Sequence, residues 1–271
     1  MVKVSEDLAA YIKKTGRHFD AKIKVGDTVI TDGIDEITLF SPFMSDKMSF
    51  GNVVSAYVEV KLFDCHVNLA GREIEISLTA SVGGKTEEIK LGFFTAEKPK
   101  TTDGVTSFTA YDRAKTKVKG EYQTELSGDK AIDAVFNDVC SKCGVEYVPL
   151  FSSETAENGK PSVSIDIFNG LDKKAVLGQI AAYFGGNLIC NRDGKLEVRT
   201  LSECTETYDG DMCDVPEIGD SVFKLKRLVC DTGKEQLTSG DEGDGVSFSC
   251  SFMTQERLDE ILAQLKKLTQ S

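Results

Sequence analysis

Tryptophan is absent from this chain, and histidine occurs only twice, at His18 and His66. Those shortages leave little material for acid–base or metal chemistry, in which imidazole is the commonest participant. Proline is scarce too, five in 271 residues, so collagen-like and proline-rich architectures drop out. No apolar run approaches the 18 or so residues that span a bilayer. Met1 to Lys14 lacks the unbroken apolar stretch of a secretory signal, so synthesis in a cytosol is expected. Basic residues are outnumbered: 32 Lys and Arg face 44 Asp and Glu, a net charge of −12. That balance argues against a protein held to nucleic acid by phosphate neutralisation, which needs clustered Lys and Arg.

What remains is the composition of a globular protein, 40% hydrophobic and 28% charged, with room for two domains or three small ones. Eight cysteines are scattered at irregular spacings, several on alternating apolar runs such as Asn187–Cys190 and Phe248–Phe252. They read as small buried hydrophobes kept reduced.

The chain changes texture along its length. Residues 1–18 form a lead-in: Leu8, Tyr11 and Ile12 fall at helical spacing behind a Ser5 cap. Over 19–122 the period becomes two. Strands are predicted at Ala21–Val25, Thr28–Ile30, Val53–Phe63, Glu73–Val82, Thr86–Ala96 and Val105–Tyr111, punctuated by turn pairs such as Gly83-Gly84 and Asp103-Gly104. Many short antiparallel strands in about 100 residues mean a barrel or sandwich.

Over 123–205 the pattern turns helical. Ile132, Val135, Phe136, Val139 and Cys140 share one face, with Ser127 or Asp129 as cap and Gly144 as stop. A second helix is predicted over Asp172–Phe184, then a hairpin turning at Asn191–Gly194. In 206–271, Ser221–Cys230 and Val246–Phe252 read as strands around an acidic loop at Ser239–Gly245. An amphipathic helix follows from Thr254, its cap, to Leu268. Its stripe includes Leu258, Ile261, Leu265 and Leu268, which form either an intrachain core or a face for an oligomer or partner. Because the stripe ends three residues before the terminus, the chain is expected to be cut short relative to its fold or completed by a partner. The expected fold class is α+β and mainly β: an antiparallel barrel, a small α/β domain, and a partial second barrel ending in a helix.

Motifs for chemistry are few. Gly84-Lys85-Thr86 resembles the end of a phosphate-binding loop, but Thr79 stands where that loop needs glycine, and a strand follows. Cys140-Ser-Lys-Cys143 closes a helix where a redox motif would open one. Asp209, Asp211 and Asp214, and Asp241, Glu242 and Asp244, can bind calcium only if their oxygens converge, and neither loop matches an EF-hand. Asp64-Cys65-His66 lies at a strand end, where adjacent residues point to opposite faces. No catalytic, cofactor-binding or metal residue is assigned.

Two stretches carry a family resemblance. Leu91-Gly-Phe-Phe-Thr-Ala96, Asp103-Gly104, Phe108-Thr-Ala-Tyr-Asp112 and Lys115 to Tyr122 resemble the end of the first tube-type barrel of phage baseplate hub proteins. Ser127 to Cys143, Leu177 to Gly185 and Asn191 to Val198 are similar to the α/β domain that follows it. With Gly51 to Leu62 fitting early barrel strands, the resemblance covers most of residues 20–205. It implies a structural protein at the tail tip of a phage or prophage, made in the bacterial cytoplasm and built into the virion. Three copies would form a ring of two tube-type barrels each, seated on tail-tube or distal tail proteins, with DNA passing through the lumen unbound. No cofactor is implied. Family members continue past the helix matching Met253 to Leu258 into further barrel strands, and often into a hydrolase or receptor-binding region. An acidic lumen lined by the loops at Asp209–Asp214 and Asp241–Asp244 is one expectation.

Two other readings compete. A tail-tip binding or adaptor module would contact the host surface, but a glycan site needs exposed aromatics around a concave face, and that signal is poor. A remnant of a tail-associated peptidoglycan hydrolase would need catalytic groups that the sequence does not supply.

Overall fold

The computed structural model describes residues 4–14, 16–43, 48–151, 161–202 and 225–269. The chain divides into two compact units. The first comprises Met1–Ser41, Ser55–Thr116 and Asn191–Gly194; the second comprises Pro42–Val54, Lys117–Cys190 and Lys195–Ser271. The segment expected at 206–271 falls in the second unit, as does that expected at 123–205 except for Asn191–Gly194, which belongs to the first.

The first unit opens with helix α1 (Glu6–Ile12), capped by the Ser5 hydroxyl, which accepts from the Leu8 N–H at 3.1 Å. Eight strands follow: β1 (Asp20–Val25), β2 (Thr28–Ile30), β3 (Ile34–Phe40), β4 (Tyr57–Phe63), β5 (Glu73–Val82), β6 (Lys85–Ala96), β7 (Lys100–Thr102) and β8 (Val105–Asp112). They form one antiparallel sheet in the order β2-β1-β5-β6-β8-β4-β3, with β7 also on β8. The short helix α2 (Arg113–Thr116) closes the run.

Period-two alternation explains the core. Ile23 and Val25, Val58, Val60 and Leu62, Ile74 and Ile76, Phe94, Phe108 and Ala110 all point inward into one buried cluster. Connectivity then dictates curvature. β2 and β3 lie at opposite ends of the strand order, six strand spacings or about 29 Å apart in a flat sheet. Yet four Cα steps, at most about 15 Å, separate Ile30 from Ile34. The sheet therefore rolls until its ends approach, helped by bulges where the β5–β6 register slips after Ile76 and the β3–β4 register slips after Ile34. Gly33, at φ +71°, makes the link, and a side chain there would strike the Phe63 carbonyl at 2.7 Å. No ladder joins β2 to β3 among the described residues; the sheet is rolled, and the expected barrel is not closed by hydrogen bonds.

β3 is absent from the strands predicted above. Its run, Ile-Asp-Glu-Ile-Thr-Leu-Phe, loses strict alternation because the bulge places Asp35 out of register. Conversely, the strand expected from Val53 begins only at Tyr57.

In the second unit, β9 (Asp129–Ala131) pairs with β10 (Ser162–Ser164), and α3 (Ile132–Cys143) and α4 (Lys173–Tyr183) pack on each other. Asp172 caps α4 by accepting from the Ala175 N–H at 2.6 Å, and Gly144 ends α3 in the left-handed region. Neither Ser127 nor Asp129 caps α3. Ala131 holds that position without a side-chain bond, because Asp129 is committed to β9. The hairpin of β11 (Gly186–Cys190) and β12 (Leu196–Thr200) is extended on both edges by parallel bridges, Val53 to Leu188 and Tyr147 to Leu196. Asn187 anchors the Pro42–Val54 segment: fully buried, it accepts from the Asn52 N–H at 2.9 Å and donates to the Ser49 carbonyl at 3.0 Å.

A three-stranded sheet completes the unit. β13 (Arg227–Asp231) pairs antiparallel with β14 (Gln236–Gly240) and parallel with β15 (Gly245–Ser249). Helix α5 (Gln255–Thr269) packs on it, with the Thr254 hydroxyl accepting from the Arg257 N–H at 3.2 Å. The strand predicted from Ser221 lies outside the described residues until 225.

Candidate functional site

The residues singled out for chemistry do not converge. Gly84 lies in the hairpin turn and Lys85-Thr86 open β6, with Val82 opposite Lys85. His18 sits exposed beside Asp20 at 3.0 Å, and the Cys65 thiol contacts the Val67 carbonyl at 3.9 Å. Cys140 and Cys143 are buried, and burial pushes both thiols up; that is the opposite of the depressed value a redox cysteine needs. Cys230 and Cys250 are likewise pushed up by burial, to about 11 and about 12. Among the described residues no three His, Cys, Asp or Glu side chains gather where a metal would sit. The loop of Asp241, Glu242 and Asp244 is exposed, and Asp209–Asp214 lies outside the described residues.

One groove, of about 370 Å³, lies on the first unit and is lined by Glu36, Glu59, Lys61, Glu97, Lys98 and Lys100, among others. The Lys61 ammonium reaches the Glu36 carboxylate at 2.6 Å. Their hydrogen bond holds Glu36 below and Lys61 above their ordinary values. Such a pair keeps its charges fixed near neutral pH, whereas a general acid or base needs a value close to the working pH.

Beside it runs an aromatic row. Phe40 stacks on Tyr57 at 4.5 Å and 13°, and Tyr57 meets Tyr111 at 5.8 Å. Phe40 and Tyr57 turn ring faces toward each other, so this pair braces β3 against β4.

The motif residues prove to be joints. The Asp112 carboxylate, 3% exposed, accepts from the Ala56 N–H at 2.7 Å, the Ser55 hydroxyl at 2.8 Å and the Lys115 N–H at 3.2 Å. One buried anion thus ties the entry to β4 to the start of α2. Burial is the largest influence on it and raises its pKa, against the pull of those donors. Tyr122 donates to Asp138 at 2.8 Å, and burial pushes its phenol up to about 12. Sequence reading marks Asp112 as a motif residue, but its partners lie 56 and 57 positions away and only the fold assembles them.

The α5 stripe is spent on the chain itself. Leu258, Ile261 and Leu265 are 0%, 2% and 5% exposed, in a cluster with Leu228, Val246 and Phe248, and Leu268 packs partly buried against it. The large apolar side chains exposed among the described residues are Val29 on β2, Phe40 on β3 and Phe63 on β4, at 51%, 39% and 49%.

No protein-family model matches this sequence, and no curated protein matches it. Solved structures do. The tail protein of Neisseria meningitidis MC58 superposes with a TM-score of 0.56 at 14% identity, over 90% of this chain and 74% of that one. Prophage tail protein gp18 of Listeria monocytogenes EGD-e gives 0.50 at 10% identity, over 88% and 76%. This fold is shared with phage tail proteins. The 43 kDa tail protein of prophage MuSo2 from Shewanella oneidensis aligns over 92% of this chain and 76% of its own, at 13% identity and a TM-score of 0.47.

Proposed function

We propose that this chain is a non-catalytic structural component of a phage or prophage tail, and specifically a baseplate hub at the tail tip. The observation that carries the reading is the likeness to the Neisseria tail protein, which extends over nine-tenths of the chain rather than over one unit. The rolled sheet supports the finer part. Its two open edges, β2 and β3, carry unpaired backbone groups that a neighbouring copy can complete, and an uncovered edge is otherwise an association liability.

In this reading three copies form a ring, the first unit serves as a tube-type barrel, and the ring seats on tail-tube or distal tail proteins. DNA passes the lumen without being held, a reading favoured by the chain's net charge of −12, since holding phosphates needs clustered Lys and Arg. Light scattering on the purified chain, with images of the eluted species, tests this. A particle of three times 29.5 kDa with a central hole is expected. A monomer at every concentration up to the millimolar range, with no ring in the images, overturns the hub assignment while leaving the tail fold standing.

A further inference from the structure

We draw no further inference here: the strongest candidate, the open edge of strand β3 with its exposed Phe40 on the first unit, carries nothing because nothing in the structure shows what covers it.

Discussion

Asp112 shows how a single side chain is read differently by sequence and by structure. Replacing it with alanine leaves the N–H groups of Ala56 and Lys115 without their acceptor. The expected cost is about 1–3 kcal/mol, the range for a buried donor left unsatisfied, visible as a lower urea midpoint. The pH response has a definite sign. Burial raises the folded pKa above the ordinary 3.8, so the contribution is complete below that value and is lost as pH rises through the folded one. Wild type should therefore gain melting temperature relative to Asp112→Asn as the pH falls from neutral toward 4, because the amide does not titrate. Equal pH profiles for the two proteins would refute this.

The thiols give a second prediction at this scale. Among the six described cysteines, Cys65 and Cys190 are partly exposed and Cys140, Cys143, Cys230 and Cys250 are buried. Burial suppresses the thiolate that reacts, so iodoacetamide should modify Cys65 and Cys190 in the folded protein and reach the other four only in denaturant. Peptide mass mapping reads the order directly, and early labelling of Cys140 would contradict the packing of α3.

At the scale of elements, α5 decides between two readings that periodicity leaves equal. A stripe at helical spacing marks a face to be covered without naming the cover. Here the cover is the sheet of β13, β14 and β15. Ile261→Ala should cost about 2–5 kcal/mol of stability, as for other buried aliphatic truncations, and leave the solution mass of the protein the same as that of the wild type. A normal melt with a lost assembly would instead make the stripe a partner face.

Several local signals were legible, although the cap expected for α3 at Ser127 or Asp129 was not formed. The expected caps Ser5 and Thr254 and the expected left-handed stop Gly144 all stand where side-chain and backbone chemistry calls for them. Less legible was anything settled by a distant partner. β3 escapes notice because of its bulge, and Val53 pairs with Leu188 rather than extending β4. The parallel pairing of β13 with β15 is invisible too, since two alternating runs look the same in either direction.

At the scale of the whole molecule, the charge balance opposes any association of like copies. Each chain carries a net −12, so a three-copy ring concentrates like charge, and that repulsion is screened over a Debye length of about 10 Å at 0.1 M salt. If three copies associate, the trimeric fraction should rise as ionic strength increases from about 0.01 to 0.15 M, followed by sedimentation velocity at fixed protein concentration. A fraction that falls with salt would mean that opposite charges, rather than strand edges and apolar contacts, hold the copies together.

Composition and periodicity by themselves determined the class of this protein. Its alternating runs make a mainly β chain, because alternation depends on residue type and near neighbours. Tertiary structure alone decided that the sheet rolls, that Asp112 becomes a buried joint, that Pro42–Val54 packs in the second unit, and that α5 covers its own chain. Each of those outcomes is a choice of partner across tens of residues. A backbone edge or an apolar stripe is satisfied equally well by many partners, and only the folded chain shows which one it has.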